Sequence, residues 1–546
     1  MLLIALIAPL AFAEDWPPNA TINEAASLQV TPAGLDAVSA LVPTLLPEMI
    51  EIGDVSESGG TWCFNYEFSL SNAWVSIAVE DVTITPGAGV LTLDADLLIG
   101  LNDEYDPFEI YLEVACIGDD CPAYVEPFPV NVSTTIGLEV ITGDTGTPVL
   151  DATMGEIAVT YSDISKAIQG QCTLTDIIEF FRDYLGLDFY DFILGLVEGT
   201  IKDTIADMGP ELETAIEDAF SSATINEQID LNGVALNVAL QPQDVIIEPS
   251  GVEVLLSGSM SAEPAACVAA WDPGGSPRSD TPRPPMSALV PGTHMGLLLS
   301  DDFANQAMYS LWRGGLLCYE LSGEEPLPIN TSLLGLLAGD AFDELFPETG
   351  EMIIATRPKA PPTVVYDGAH DLGLAVNDLG LHFYAEVDDR MALALAMDLD
   401  VVAGADMLFD GITGDLAVEV ALSSDDVIAT VSHNELVVGT DDAIEQNFAG
   451  VFDSLLGTLL GSLLSDLAFA LPSFSGVGLS AINIDPAGDA RDWLGLYATL
   501  GTVSYGGGEA SGDCGSGCGG GCATGGPAGA LPPMVLIALA ALRRRR

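Results

Sequence analysis

MGLLLSDDFANQAMYSLWRGGLLCYEL, residues Met295–Leu321, spells strand, amphipathic helix and strand in succession. The apolar run Met295–Leu299 suits a buried strand. Ser300-Asp301-Asp302 then offers a capping hydroxyl and two negative charges, which favour the positive end of a helix. Phe303, Ala307 and Leu311 recur at four-residue spacing with Met308 and Trp312 beside them, the period of a helix face. Gly314-Gly315 tolerates the positive φ of a helix stop, and Leu316–Leu321 is expected to continue as a strand. The same pattern fits an ordinary core segment, so its meaning depends on the sequence either side.

Working outward, Ser261–Pro291 has several prolines and Gly274-Gly275, the composition of a connector between two halves. Before it, Thr31–Met49 is expected to be a helix with Leu35, Val38, Leu41, Val42, Leu45 and Leu46 on one face, although Pro43 and Pro47 shorten or kink it. Trp62–Leu70 alternates apolar and polar, and strands follow at Ser76–Thr85, Gly89–Leu101, Phe108–Ala115, Val130–Ile141 and Gly155–Tyr161. Thr173–Phe220 switches to helix, with Ile201, Ile205, Met208, Leu212, Ile216 and Phe220 in register and Gly209-Pro210 expected to kink or interrupt it. Val234–Leu240, Val245–Glu248 and Val252–Ser259 return to strand.

Downstream the order repeats. The helix from Asp301 to Trp312 answers to Thr31–Met49. Strands are expected at Met352–Thr356, Thr363–Asp367, Leu372–Val376, Leu379–Val387, Met391–Phe409, Leu416–Ala421, Val427–Val431 and Glu435–Val438. A long helix, Ala443–Ala468, matches the long helix of the first half, and Gly476–Ile484 and Trp493–Val503 close the chain's folded part. Helix, sheet, long helix and strands occur twice, which implies an α+β protein of two similar modules, each an antiparallel sheet curled around a helix.

The totals limit what such a protein can do. The 546 residues carry a formal net charge of -67, with 81 acidic side chains against 14 basic ones. Lys166, Lys202 and Lys359 are the lysines, and Arg543–Arg546 account for four of the arginines. Nucleic acid is excluded, because phosphate binding needs clustered positive charge. Attachment to anionic lipid headgroups is disfavoured for the same reason. A hydrophobic fraction of 49% is too high for an acidic disordered chain. The acidity therefore describes a solvated surface, and its self-repulsion should weaken the fold at low ionic strength.

No catalytic constellation emerges. The sequence has no G-x-S-x-G elbow, no H-E-x-x-H and no phosphate loop. His294, His370, His382 and His433 are scattered without metal spacing. Asp94–Asp106 and Asp398–Asp415 lack the calcium-loop order, leaving only weak, non-specific calcium binding open. Neither a metal nor a cofactor is called for, and an enzyme is not expected.

The ends carry processing signals. Met1–Ala13 is an apolar run ending Ala-Phe-Ala before Glu14-Asp15, the pattern of a cleaved secretory signal. At the other end a Gly-rich stretch holds Cys514, Cys518 and Cys522, then come the apolar Ala528–Leu542 and Arg543–Arg546. The apolar segment is short against the roughly 20 residues of a stable span. C-x3-C-x3-C lacks zinc spacing and a fourth ligand. The tail resembles the myxobacterial-type C-terminal sorting signal. That likeness implies a bacterial exported protein cut near one of these cysteines and held on the outer membrane or cell surface through its processed C-terminus, or secreted after processing.

The body resembles the lipid-transfer family that includes bactericidal/permeability-increasing protein and lipopolysaccharide-binding protein. The likeness lies in Gln29–Val55 with Gly34-Leu35-Asp36 before a helix, in Leu299-Ser300-Asp301 with Phe303, Asn305, Ala307 and Gly315-Leu316-Leu317, and in Phe469–Ile482 with Leu471-Pro472. It spans about Ala25 to Val503. It implies a boomerang of two pseudo-symmetric barrels joined by a central sheet, each with an acyl-lipid pocket between helices and sheet. The divisions are then a signal peptide at 1–13, a first barrel at 14–260, the connector at 261–291, a second barrel at 292–503 and the sorting tail at 504–546. Candidate lining residues are Leu41, Leu45, Phe192, Ile201 and Ile205 in the first half, and Phe303, Ala307, Leu455 and Leu459 in the second.

There are departures from the family. The basic tip of its lipopolysaccharide-binding members is missing, and no cysteine lies in the second half of the first long helix, where the family's disulfide attaches. The body instead has Cys63, Cys116, Cys121, Cys172, Cys267 and Cys318, an even number that favours disulfides outside the cytoplasm. Cys116–Cys121, Cys267–Cys318 and Cys63–Cys172 form one candidate set of pairings. The resemblance implies a phospholipid or other acyl lipid as partner. A structural or adhesive surface protein that keeps the fold with filled pockets is the alternative.

Overall fold

The computed structural model describes residues 15–40, 43, 48–61, 64–114, 117–143, 146–161, 168–170, 182, 189–221, 225–231, 233–279, 282–286, 289, 291–322, 329–346, 348–366, 370–410, 415–448, 469–470 and 477–502. Its α-helices include α1 (Pro32–Ser39), α2 (Phe189–Ser221), α3 (Asp301–Arg313), α4 (Ser332–Ala338), α5 (Asp340–Leu345) and α6 (441–448). A 3-10 turn lies at Ser424–Asp426, and the extended structure among the described residues is antiparallel sheet.

A central sheet of seven strands joins the two halves. Its order is Ile225–Leu231, Val234–Glu248, Gly251–Ala262, Ile22–Val30, Met295–Ser300, Trp493–Thr502, Val477–Ala487. The first four strands come from the first half of the chain and the last three from the second. The two opening strands, Ile22–Val30 and Met295–Ser300, pair antiparallel at the middle with Leu28 opposite Leu297. Each is flanked by the closing strand of its own half, and that strand by its hairpin partner. The sheet is therefore nearly two-fold symmetric about the Leu28–Leu297 pair.

The symmetry extends to the helix starts. The Thr31 hydroxyl accepts from the Gly34 N–H at 3.2 Å and donates to the Thr293 carbonyl at 2.8 Å. The Ser300 hydroxyl accepts from the Phe303 N–H at 3.2 Å and donates to the Ala25 carbonyl at 3.0 Å. Each cap thus satisfies a helix-end donor and ties its helix to the other half, Thr31 just ahead of that half's opening strand and Ser300 within it.

The first module's ten-stranded sheet runs from Met49–Ile52 through Ala73–Pro86, Leu91–Leu101, Ile117–Thr142, Phe108–Val114 and Phe64–Ser71 to Val55–Thr61, with three further strands on Ile117–Thr142. Register stacks the inward side chains in rows: Val75, Leu101 and Val125; Ile77, Ile99 and Phe128; Val82, Ala95 and Val132. The alternate positions carry Asp94, Asp96 and Asn131, as expected where one face is packed and the other wet. Leu35 of α1 and Leu194, Val197 and Ile201 of α2 complete this core. Each such side chain stabilises the fold by roughly 1.5–3 kcal/mol on burial.

The second module's sheet follows the path Glu320–Ser322, Met352–Pro358, Leu372–Val387, Arg390–Asp410, Asp415–Ala421, Phe469–Ala470, with Thr363–Val365 and Val427–His433 alongside. Leu334 and Leu337 of α4, Phe342 of α5 and Ile444 and Phe448 of α6 fill its core against Met352, Phe383, Leu395 and Met397.

Several expectations need correction. The sheets are open rather than closed barrels. The first-half helix ends at Ser39, and Met49 begins a strand. α2 runs through Pro210 without interruption. Leu316 and Leu317 lie in a turn, and only Glu320–Ser322 pairs as a strand. Glu435–Val438 is also a turn, because the Asn434 side chain donates to the Val437 carbonyl at 3.0 Å and accepts from its N–H at 3.1 Å. The rest of the expected helix Ala443–Ala468 lies outside the described residues. No helix among the described residues is long and apolar enough to cross a membrane.

Candidate functional site

α3 is built into the molecule on all sides. Phe303 and Leu311 pack on the central sheet with Ala26, Val254 and Leu256, and Ala307 lies partly buried beside them. Ala304 meets Val364, Tyr366, Leu494 and Leu496, while Tyr309 and Trp312 cover Val268. The polar side chains between these faces are buried too, and each has a specific partner. Asn305 accepts from the Val364 N–H at 2.7 Å. Gln306 accepts from the Met260 N–H and donates to the Ala20 carbonyl, both at 2.8 Å. Ser310 donates to the Met260 carbonyl at 2.8 Å, and the Trp312 indole donates to Pro358 at 3.0 Å. Leaving any of these groups bare would cost about 1–3 kcal/mol each. α3 therefore fixes the N-terminal segment, the closing strand of the first half and the edge of the second module at once.

The connector is equally committed. Asp272 accepts from the Tyr309 hydroxyl at 2.7 Å and from Arg313 Nε at 3.0 Å. Burial pushes the Asp272 carboxyl up, but the donors Tyr309, Gly274 and Arg313 outweigh it and hold it below the usual range. Cys267 and Cys318 are disulfide-bonded, which ties the connector to the chain just after α3. On the sheet face away from α3, Glu253 is 4% exposed and accepts from Ser27, Gln29 and two nitrogens of Arg283 at 2.6–2.7 Å. Burial opposes its charge, yet these donors keep its carboxyl below the ordinary value. Sequence reasoning missed this latch. Its signal was there: a glutamate inside the apolar strand Gly251–Ala262, with the connector's Arg283 to match.

The predicted lining residues separate into different places. Ile201 is buried between α2 and the first sheet. Phe303 presses on Gly258 and Ala25, where a Cβ added at Gly258 would come within 2.7 Å of its ring. Phe192 and Ile205 belong to α2, but their side chains lie outside the described residues, as do Leu41, Leu45, Leu455 and Leu459. Cys121 is disulfide-bonded, whereas Cys63, Cys116, Cys172, Cys514, Cys518 and Cys522 fall outside the described residues. The structure thus brings Ile201 into a helix-on-sheet core and Phe303 with Ala307 into another.

Histidines serve local packing. His294 accepts from the Leu500 N–H at 3.1 Å, His370 meets Asp406 at 3.0 Å, and burial followed by Arg357 and Lys359 holds His382 below its ordinary value. Among the described residues no group of three His, Cys, Asp or Glu side chains is placed to hold a metal.

Neither a protein-family model nor a curated protein matches the sequence. Among solved structures, lipopolysaccharide binding protein aligns with a TM-score of 0.54 at 12% identity, covering 88% of this chain and 100% of that one. P47 from Clostridium botulinum A2 (10% identity, 87% and 96% covered) and Epiphyas postvittana Takeout 1 (12%, 33% and 92% covered) align at 0.26 and 0.20, too low to argue from. The first of these likenesses shows the fold: the chain is built like lipopolysaccharide binding protein, two helix-and-sheet modules on a shared central sheet.

Proposed function

We propose that the protein binds or shuttles acyl lipid, with hydrocarbon chains held between the helices and sheet of a module. The observation that carries this reading is the apolar interior enclosed by α1, α2 and the first sheet, in a chain with the fold of lipopolysaccharide binding protein. The mechanism needs no catalytic side chain. Transfer of an acyl chain from water to such an interior is favoured by about 25 cal/mol per Å² of apolar area covered. We read the protein as exported and held at the bacterial envelope through its processed C-terminus, on the strength of its two end sequences. Its surface acidity suits a zwitterionic or neutral lipid better than an anionic one.

A second reading has one observation in its favour. Phe303 fits so closely against Gly258 and Ala25 that the space beneath α3 is filled by protein. A structural or adhesive role with closed pockets would follow if the first module were filled likewise. Organic-solvent extraction of the purified exported protein, followed by mass spectrometry, separates the two. Co-purified phospholipid or fatty acid, with uptake of a fluorescent lipid, is the expected outcome. Lipid-free protein that also takes up none would falsify the lipid reading.

A further inference from the structure

A cleft of about 190 Å³ opens on the central-sheet face away from α3, between that sheet and the connector. It is small beside the roughly 300–1,000 Å³ of sites for drug-sized ligands. Its walls are mixed: Pro284 and Leu289 from the connector and Leu298 from the sheet supply hydrocarbon, and Gln29, whose amide nitrogen is taken by Glu253, adds a polar edge. Two features give it a sign. The Tyr497 ring reaches back along its own strand to lie over Gly495, where a Cβ would come within 2.4 Å of its hydroxyl end. Asp485 is the cross-strand partner of Gly495, so its carboxylate projects on the same face beside the phenol. The proximity registers chemically: burial and then the Asp485 charge push the Tyr497 hydroxyl above its ordinary value.

Asp485 is exposed at the rim, takes the Asn483 amide, and forms no ion pair among the described residues. The site therefore combines an aromatic ring, an uncompensated carboxylate and hydrocarbon walls in a space for a few heavy atoms. A metal ion would find one carboxylate in the cleft wall and no second acidic side chain lining it among the described residues. A neutral apolar group would leave the carboxylate unused. An alkylated ammonium ion uses all three, since its charge is spread over methyl groups that pack on Pro284 and Leu289 while the aromatic ring and Asp485 face the positive centre. We propose that this cleft is a binding site for a small organic cation of the alkylammonium class, independent of whether the modules hold lipid.

Calorimetric titration of the full chain with choline and with 3,3-dimethyl-1-butanol, its uncharged isostere, tests this. High salt suppresses general attraction to the acidic surface. Choline should bind saturably and the isostere about tenfold more weakly or not at all. Asp485→Asn should erase the difference and Tyr497→Leu should weaken choline further, whereas Asp388→Asn, an exposed aspartate on another turn, should change nothing. Because Asp485 is exposed, its substitution keeps the test meaningful even if Tyr497→Leu fails to fold. Absent or unsaturable choline binding, equal binding of the two ligands, or an equal loss in Asp388→Asn would overturn the proposal.

Discussion

α1 and α3 occupy the same place in the two halves, each following an opening strand of the central sheet and each capped by a hydroxyl that reaches into the other half. There the likeness stops. α1 is eight residues long and contributes Leu35 to the first core, with Gly34 pressed against the His294 carbonyl. α3 has thirteen residues and buries Asp302, Asn305, Gln306 and Ser310 among its apolar faces. The repeat fixes where a helix begins. What the helix does afterwards depends on its later side chains: α1 packs mainly on the first module, while α3 is hydrogen-bonded to partners from Ala20 to Val364. The second helix start has become the molecule's fastening.

The contrast can be broken most severely at Trp312, which is fully buried. Trp312→Ala should cost about 3–5 kcal/mol, against about 2–3 for Leu35→Ala in α1, as read from denaturant unfolding. Similar values for the two would mean that α3 is no more deeply fastened than α1. Gln306→Leu keeps the volume but strips the Met260 N–H and the Ala20 carbonyl of their partner, and a loss of about 1–3 kcal/mol is expected. Removing the caps should restore the symmetry: Ser300→Ala and Thr31→Ala are each expected to cost about 1 kcal/mol. A cap effect in one half alone would show that the two-fold relation is topological without being energetic.

The last effect concerns charge and shows only as a pH dependence. Burial pushes the Asp301 carboxyl up to about 6, and Asp302 and Asp492 add to the shift against the Ser279 hydrogen bond. An acid whose folded pKa lies above its unfolded value of 3.8 makes the fold less stable as pH rises between the two. Asp301→Asn should therefore raise the unfolding midpoint at pH 7.5 relative to wild type and leave it nearly unchanged at pH 4. A gain of equal size at both pH values would refute that assignment. Thr31 has no such acidic neighbour after it, so no matching pH dependence is expected from α1.

Much of this frame was legible in the sequence. Ser300, the Phe303–Ala307–Leu311 stripe and Gly314 marked α3 correctly because capping and helical period are local properties. The strand expected at Leu316–Leu321 failed for a long-range reason. Gly315 takes φ of 87°, Leu317 packs beside Val268 and Trp312, and the disulfide holds Cys318 to Cys267. An apolar run reads the same whether it faces a sheet or a neighbouring turn. The partners of Gln306 and Asn305 were hidden likewise, since nothing near them names Ala20 or Val364. For the lipid-lining candidates the limit was geometric. A helical stripe shows which side of α2 is apolar but not whether Ile201 meets sheet or ligand. The structure places Ile201 in the first core and Phe303 against Gly258, each packed against protein.

The central claim concerns what lies between α2 and the first sheet. Native mass spectrometry of the purified exported chain tests it directly. Mass increments matching bound acyl lipid are expected, lost on delipidation and regained when phospholipid is added back. A spectrum showing only the bare chain, before and after addition of lipid, would contradict it.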